Sequence, residues 1–370
     1  MAARRRPQAH AVGAVWLFAL SPLQAMHVPI QCPHHPTATV AKIIQAALEE
    51  DAGDRGDVTT LATIPAETQA TATFTAKSDG VLAGLGVADQ VLQAVDPTVE
   101  VEWRASDGDR VVSGHVLGLM RGSARAILVA ERVMLNFMQR MSGIATATAA
   151  MVAATEGLPT RVLETRKTAP GLRLLDKWAV LIGGGSNHRM GLYDMMMIKD
   201  NHIAAAGGIR AAVQRAEVYI SSQGLGDSLT IEVETSTLAE VDEIVEILRG
   251  ARQVAAKAQV EGEQPAGQSE GDGATAGAAA AEAAPLGRYV KRVMLDNMAK
   301  RNPSKEGGVD VSMLAEAVAR IGDLAETEAS GNVTITSLRT IAATGVTYVS
   351  VGALTHSVVA LDISLNIQTQ

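Results

Sequence analysis

The sequence has little cysteine, no excess of positive charge and no apolar run long enough to span a bilayer. Its one cysteine, Cys32, cannot form an internal disulfide and does not indicate a metal site. The net charge of −8 and the pI near 5.5 give no overall attraction to nucleic acid or membranes, so we expect neither as a partner. An anionic ligand must therefore meet a local cluster of basic groups in a pocket.

Residues 1–36 have the composition of a targeting segment. They contain no Asp or Glu, begin with an arginine run at residues 4–6, and carry an apolar stretch from Ala11 to Leu20 that is too short for a transmembrane helix. Import into an organelle, mitochondrion or plastid, is the favoured interpretation, while a secretory signal and a disordered or wrongly assigned start stay open. We leave this segment out of the fold prediction.

The rest of the chain predicts two domains, because 370 residues of which 47% are hydrophobic can bury a large core. Residues 37–145 predict a small α+β, sandwich-like domain. Helical spacing begins this domain, and Ser123 is placed to cap its last helix. Alternating patterns between them predict strands at Ala70 to Ala76, Thr98 to Trp103 and Arg110 to Met120.

From Arg161 onward, short apolar runs repeatedly end in polar or glycine residues, and a helical stretch usually follows. This repeat predicts a parallel α/β barrel over residues 146–357, in which functional groups gather at the carboxyl ends of the strands. We expect all six polar ends to face one cavity. They are Thr165 to Thr168, Lys199 to His202, Glu234, Asp296-Asn297, Ser330-Gly331 and Gly352.

Two other segments follow different patterns. Of the 38 residues from Gly250 to Gly287, 20 are Ala or Gly, which predicts a flexible insertion without a core of its own. In residues 358–370, apolar side chains alternate with polar ones from Leu361 to Ile367. This alternation predicts a half-buried strand that packs on the first domain.

Basic groups concentrate at the predicted strand ends and on the helix after Ser123. Guanidinium groups bind carboxylates and phosphates through paired hydrogen bonds, and lysine acts as a compact charge. If they converge on one mouth, they form a pocket for a small polyanion. The alternative is that each is solvated or paired with an acid such as Glu164 or Asp194. The groups are Arg132, Arg166, Lys167, His188, Arg189 and Lys199.

Two carboxylates, Glu234 and Asp296, end separate predicted strands. In a cationic centre they suit Mg2+ held together with substrate phosphates, or they stabilise positive charge on a sugar ring. A structural ion pair with Lys199 or Arg166 stays open for both. Glu232 lies on the same strand face as Glu234, either as a second site group or as a salt-bridge partner.

Small residues end the last two predicted strands, at Ser330-Gly331-Asn332 and at Ser350 to Ala353. Their free backbone N–H groups suit a phosphate, and the loops after the last barrel strands are a frequent phosphate site. Gly183 to Gly185 form either a flexible loop over a ligand or a plain turn. His202 and His356 are interpreted as packed or hydrogen-bonded histidines rather than ligand groups.

These motifs resemble those of the quinolinate phosphoribosyltransferases, in order from about Pro36 to Ile367. The sequence from Glu50 to Val58 is similar to that of the plant and algal members of the family. The matching motifs are Glu131-Arg132 with Leu135-Asn136, Ser142 to Thr146, Thr165 to Gly171, Gly184 to Asp194, Ile198 to His202, Glu232 to Glu234, Leu295 to Asn297 and Ser350 to Ser357.

The resemblance implies a reaction of quinolinate with phosphoribosyl pyrophosphate and Mg2+, and an open barrel with fewer than eight strands. It also implies a homodimer or larger homo-oligomer, with Arg132 reaching a neighbouring subunit's site. Lys199, Glu234 and Asp296 are the implied catalytic residues, and the two carboxylates would hold ribose and Mg2+. The quinolinate carboxylates would meet Arg132, Arg166, His188, Arg189 and Lys199.

The same resemblance assigns the phosphoribosyl pyrophosphate site. Lys167 would contact the pyrophosphate, and Thr168, Asn332 and Ser350 are further implied substrate-binding residues. The 5′-phosphate would lie at Ser330, Gly331, Gly352 and Ala353.

The chain departs from the family in its insertion at residues 250–287, which is longer than the family's usual connection. Because it precedes the strand ending at Asp296, we expect it to lie away from the mouth and to spare catalysis. A phosphoribosyltransferase for a monoacid such as nicotinate would need fewer cations. A non-catalytic binding protein of this fold would lack some of the basic groups or carboxylates, and none is missing.

Overall fold

The computed structural model of the chain describes residues 30–226, 228–261 and 285–369. The first 29 residues of the predicted targeting segment and residues 262–284 of the predicted insertion lie outside the described residues. Within the described ranges, no helix combines the length and the apolar character that crossing a membrane requires.

The first domain is a four-stranded antiparallel sheet packed against helices. Its sheet order is β14-β1-β5-β3, and a two-stranded sheet β2-β4 lies beside it. Along β1, Ala70, Ala72 and Phe74 are buried in alternation, as a sheet with one core face requires. The elements are α1 (Val40–Ala52), α2 (Val58–Thr63), β1 (Gln69–Ala76), β2 (Gly80–Val81), α3 (Leu85–Val95), β3 (Glu100–Trp103), β4 (Arg110–Val111), β5 (Val116–Ser123) and β14 (Ile363–Thr369).

The second domain is an open α/β barrel of six parallel strands, which confirms the predicted fold class. The sheet order is β6-β13-β12-β9-β8-β7, so all six carboxyl ends lie at one edge. Its strands are β6 (Arg161–Leu163), β7 (Met196–Ile198), β8 (Ile231–Thr235), β9 (Val290–Asp296), β12 (Glu326–Ser330) and β13 (Tyr348–Ser350).

Helices and one hairpin surround this sheet. The hairpin consists of β10 (Lys300–Arg301) and β11 (Val309–Asp310), which pair antiparallel. The helices are α5 (Arg173–Ile182), α6 (Asp200–Ala206), α7 (Ile209–Ser222), α8 (Leu238–Glu261), α9 (Ser312–Ile321), α10 (Ile335–Ala342) and α11 (Ala353–His356).

A long helix, α4 (Ala124–Ala154), joins the two domains. Ser123 caps it by accepting a hydrogen bond from the Ala126 N–H, as the sequence predicts. The predicted domain boundary at residue 145 falls inside this continuous helix and marks no break. At Gly143 a β-carbon would lie 2.2 Å from the Val359 carbonyl oxygen, so only glycine lets the chain pass so close to the helix.

The predicted leader is too long at its carboxyl end, because residues 30–36 belong to the folded domain. The Ile30 carbonyl accepts a 2.8 Å hydrogen bond from the Trp178 indole, and Cys32 packs against the hydrophobic core that contains the buried side chains of β1. The His35 ring contacts the edge of Tyr193 at a centroid distance of 5.9 Å. Removing this segment would expose apolar surface and leave the indole unpaired.

Two predicted elements have different bounds. Arg110 to Met120 is not one strand but two, β4 and β5, because Gly114 turns the chain at a φ of +89°. The predicted insertion starts too early, since Gly250 to Glu261 continue α8. These residues are rich in Ala and carry Arg, Gln and Lys, which are strong helix formers.

Candidate active site

A cleft of about 1350 Å³ lies at the carboxyl edge of the parallel sheet. Groups at or just past the ends of four strands line it: Thr165 and Lys167 at β6, Asp296 and Asn297 at β9, Ser330 to Asn332 at β12, and Ser350, Gly352 and Ala353 at β13. His356, which the sequence predicts to be a packed or hydrogen-bonded histidine, also lines this cleft. Its exposed ring, with Nδ1 2.8 Å from the Ser357 hydroxyl, belongs to the cleft surface.

The small residues at the ends of β12 and β13 permit close packing around this cleft. Gly331 has a φ of +105°, and a β-carbon there would lie 2.2 Å from Asn297 Oδ1. At Gly352 a β-carbon would lie 3.1 Å from the Lys167 side chain. The loops therefore bring backbone N–H groups beside a lysine and an asparagine, which is an arrangement suited to a phosphate.

The predicted cations do not all converge on that cleft. Lys167 lines it, whereas Arg189 lines another cleft, of about 320 Å³, together with His202. Arg132 is exposed on α4 and, within the described ranges, forms no hydrogen bond or ion pair with the other predicted site groups. The expectation that all six polar strand ends face one cavity is therefore too simple.

Two guanidinium groups, Arg166 and Arg189, lie close enough to repel each other. Burial lowers the pKa of Arg189, and the charge of Arg166 lowers it further. Arg189 donates to the Met195 carbonyl at 3.2 Å, and the buried Nε of Arg166 has no hydrogen-bond partner among the described residues. Both observations leave positive charge and a free donor for an anionic ligand.

Lys199 and Glu234 form an ion pair at the ends of β7 and β8, which is the structural alternative that the sequence left open. The side chain of Glu234 is only 12% exposed, while that of Lys199 is 42% exposed. The pair keeps both charged groups at the sheet edge. There an incoming anion can replace the Glu234 carboxylate as the partner of Lys199.

Beneath these groups lies a buried cluster of His188, Glu232, Glu328 and Arg292. His188 Nε2 is 3.2 Å from an oxygen of each glutamate, and Arg292 donates to Glu328 at 3.0 Å. The other ring nitrogen, Nδ1, lies 2.7 Å from the backbone nitrogen of Arg189. Glu232 is therefore a buried partner of His188, and both nitrogens of this predicted substrate-binding histidine are engaged within the protein.

The cluster holds a proton that its separated members would lose near neutral pH. Burial acts to lower the pKa of His188, but the two carboxylates outweigh it and raise that pKa to about 9. Burial and the charge of Glu328 also raise the pKa of Glu232. The bound proton thus belongs to the cluster as a unit. Together with Arg292, it balances the two buried carboxylates.

One face of α5 positions the loops that carry the basic groups. Lys177 binds the Glu164 carboxylate and donates to the His188 carbonyl at 3.0 Å, and Glu164 accepts from the His188 N–H at 3.1 Å. Arg173 donates to the Thr168 hydroxyl at 3.1 Å and to the Met190 carbonyl at 3.2 Å. The helix therefore ties the loop after β6 to the loop around His188.

A third charged residue of α5, Asp176, extends these contacts to the loop after β13. It accepts two 2.8 Å hydrogen bonds from Arg140 and a 3.1 Å bond from the Ala169 N–H. Arg140 in turn donates to the Thr355 carbonyl at 3.2 Å. Sequence reasoning missed this face, although charged residues at positions 173, 176 and 177 share one side of a helix.

Two family models cover almost the whole described chain. The model described as "Quinolinate phosphoribosyl transferase, N-terminal domain" matches residues 57–142, and the one for the C-terminal domain matches residues 144–366. The junction between the two matches falls within α4.

Curated relatives and solved structures agree with these models. A rice protein named "Nicotinate-nucleotide pyrophosphorylase [carboxylating], chloroplastic" is 51% identical over 93% of this chain and 81% of its own. A tobacco protein named "Quinolinate phosphoribosyltransferase [decarboxylating] 2a, mitochondrial" is 49% identical over 92% of this chain and 86% of its own. The crystal structure of NadC from Streptococcus pyogenes matches with a TM-score of 0.70 at 33% identity, over 90% of this chain and 98% of its own.

We expect Lys177→Met to destabilise the protein by about 3–5 kcal/mol, because it leaves the Glu164 carboxylate buried without its cation. Urea unfolding of the purified variant measures this loss. The matched control is Arg252→Ala, which breaks the exposed Arg252–Asp323 pair and should leave the urea midpoint of unfolding nearly unchanged. Equal losses in the two variants would contradict a central role for the buried pair.

We also expect the stability that His188 contributes to depend on pH. Its pKa of about 9 in the folded protein lies above its ordinary value of 6.5, so this contribution is full below pH 6.5 and disappears as pH rises through 9. The free energy of unfolding of the native chain, relative to that of His188→Gln, should therefore fall by about 3 kcal/mol between pH 6.5 and 9. Urea unfolding of both proteins from pH 6 to 10 measures the difference, and a constant difference would refute the assignment.

Proposed function

The chain belongs to the quinolinate phosphoribosyltransferase family, and we propose that the cleft at its sheet edge carries out that family's reaction. The reaction transfers phosphoribosyl from phosphoribosyl pyrophosphate to quinolinate with decarboxylation, giving nicotinate mononucleotide, CO2 and pyrophosphate for NAD biosynthesis. The observation that carries the proposal is the meeting of Lys167 and Asp296 with two small-residue loops in one cleft, with Arg166 directly before Lys167 in the chain.

Quinolinate binds at the cationic side of the sheet edge in this proposal. Its two carboxylates take the unpaired Arg166 donor, the Arg189 guanidinium and the Lys199 ammonium, with Arg132 supplied by a neighbouring subunit. His188 supports Arg189 from below through the contact with its backbone N–H. Because quinolinate is a dianion that must approach an anionic donor, these cations offset the repulsion and orient the ring nitrogen.

Phosphoribosyl pyrophosphate binds in the large cleft. Its 5′-phosphate lies on the backbone of Ser330-Gly331-Asn332 and of Ser350 to Ala353, and its pyrophosphate meets Lys167. The carboxylates of Glu234 and Asp296 remain for the ribose and for a cation. Asp296 lines the cleft and, among the described residues, its side chain accepts one hydrogen bond, of 2.6 Å from the Asn297 amide, so it has lone pairs left for a ligand.

The residues present fit Mg2+, the expected cofactor. Asp296 and Glu234 offer hard oxygen ligands on the adjacent strands β9 and β8, and Mg2+ commonly combines one or two carboxylates with substrate phosphates. Glu234 becomes available once a substrate anion takes over Lys199. When bound, Mg2+ would neutralise charge on the departing pyrophosphate.

The chain's own residues then stabilise the charges that develop during transfer. As the bond from the sugar's anomeric carbon to pyrophosphate breaks, Lys167 stabilises the leaving anion, while Glu234 and Asp296 stabilise the oxocarbenium-like sugar. The ring nitrogen supplies the electron pair of the new bond. The resulting pyridinium accepts the electrons that the adjacent carboxylate releases as CO2, and a solvent proton replaces that group.

We extend the proposal to assembly and location. Arg132 is exposed and, among the described residues, does not contact the other basic groups of the site. This suits a homodimer or larger homo-oligomer in which Arg132 reaches the active site of a neighbouring subunit. The arginine-rich start of the sequence and the relatives named chloroplastic and mitochondrial support location in an organelle.

The first experiment incubates the chain from Ile30 onward with quinolinate, phosphoribosyl pyrophosphate and Mg2+. We expect nicotinate mononucleotide and CO2 in equal amounts, measured by chromatography and by release of labelled CO2. Nicotinate in place of quinolinate serves as the comparison and should be inactive. Product from nicotinate alone would identify a monoacid enzyme, and no product from either acid would favour a binding protein.

We expect Lys199→Ala to lower turnover by about 100-fold or more, because it removes a cation from the reacting dianion's site. Steady-state kinetics with quinolinate measures the loss, and the unfolding transition checks that the variant is folded. Lys42→Ala removes the same charge from α1 in the other domain and should keep normal turnover. Near-normal activity of Lys199→Ala would contradict the role of this residue.

A further inference from the structure

The hairpin of β10 and β11, which we call the cleft hairpin, lines the large cleft but has no part in the reaction described above. It begins four residues after Asp296 and contributes Lys300, Arg301, Gly307 and Val309 to the cleft wall. Lys300 pairs with Asp310 and Arg301 with Val309 in the antiparallel register. A short two-stranded hairpin is unstable alone, so it needs support from its surroundings.

Contacts at both ends of the cleft hairpin provide that support. At its tip, a β-carbon on Gly307 would lie 2.6 Å from the Thr340 hydroxyl and 2.9 Å from the Thr336 carbonyl, so the tip packs closely against α10. Within it, Lys305 binds Asp310 at 2.8 Å, and the Asn302 N–H donates to the Gly308 carbonyl at 2.8 Å. The hairpin is therefore fixed on the helix that follows the loop at residues 330–332.

The root of the cleft hairpin is joined to the same loop. The Asn297 N–H donates to the Ser330 carbonyl at 2.9 Å, and the Asn297 side chain packs on Gly331. Both the root and the tip thus contact the segment between the end of β12 and the first turns of α10. Lys167, by comparison, packs on the other loop, at Gly352.

Lys300 and Arg301 carry charges that the protein itself does not neutralise. Both side chains are exposed, and in the described part of the chain neither forms an ion pair or a side-chain hydrogen bond. Three cationic residues line the cleft, Lys167, Lys300 and Arg301, and Asp296 is the one carboxylate among its described lining residues. An excess of positive charge in a polar cleft favours a phosphate-bearing ligand.

We propose that Lys300 and Arg301 bind the 5′-phosphate of the phosphoribosyl substrate, together with the backbone of the loop at residues 330–332. The proposal rests on the proposed function, since it names further residues for the same substrate. The 5′-phosphate is favoured over the pyrophosphate because both ends of the cleft hairpin contact the 330–332 loop and α10, and that loop belongs to the proposed 5′-phosphate site.

The test measures binding of two simple probes to the purified chain by isothermal titration calorimetry. Ribose 5-phosphate represents the phosphomonoester end, and inorganic pyrophosphate with Mg2+ represents the leaving group. In the double variant Lys300→Gln/Arg301→Gln, we expect the Kd for ribose 5-phosphate to rise about tenfold, because two charge-assisted contacts are lost. The Kd for pyrophosphate should change by less than about twofold, as for a contact that was never made.

Matched variants and salt separate a direct contact from a general charge effect. Lys291→Gln removes an exposed charge from the amino end of β9, opposite the cleft edge, and should leave both Kd values unchanged. Lys300→Glu/Arg301→Glu should weaken ribose 5-phosphate binding further. The difference between the native chain and the double Gln variant should shrink at 0.5 M salt, where the Debye length is about 4 Å.

An unchanged Kd for ribose 5-phosphate in a folded double variant would overturn the proposal. A loss confined to pyrophosphate would overturn it too, since it would place the two residues at the leaving group. Because binding of the probes requires no turnover, the result does not depend on the activity assay. A native chain that binds ribose 5-phosphate but makes no nicotinate mononucleotide would contradict the proposed function and leave this contact intact.

Discussion

The buried ion pair between Lys177 and Glu164 is the interaction on which the rest of the site depends. Both side chains are fully buried, and although burial lowers the pKa of Lys177 to about 7, the Glu164 carboxylate and the charge of Asp194 favour its protonated form. The same two groups also hold the backbone of His188 on both of its polar sides. The backbone of the next residue, Arg189, is thereby fixed at the sheet edge, which limits the orientations that its side chain can adopt.

The charge distribution works on two length scales. The whole chain is acidic, yet the described cleft wall is cationic, so attraction to a small anion is confined to the sheet edge. Below that edge, two buried glutamates are balanced by Arg292 and by a shared proton. These buried charged groups hold the basic groups at the sheet edge in place, and their burial keeps solvent from weakening the interactions.

The sequence predicts features with a local signal and misses those that arise from tertiary contacts. Ser123 as a cap and the six parallel strands follow from residue type and periodicity. The pairing of His188 with Glu328 joins segments far apart in the chain, and no spacing rule reveals it. The ordered segment from Ile30 has the composition of the leader before it, and its place in the fold depends on the distant Trp178. The Ala-rich residues after Gly250 fit both a helix and a linker, and α8 extends into them because its preceding turns are already packed.

The pairing of β1 with β14 has a consequence for how the chain reaches this structure. Ala76 lies opposite Ile363, so the sheet of the first domain contains a strand that is made only after the entire barrel. During synthesis, the first domain has an open edge on β1 and an incomplete core until that strand arrives. The first domain therefore precedes the barrel in the sequence but cannot finish folding before it. Its sheet is complete only after the whole barrel has been synthesised.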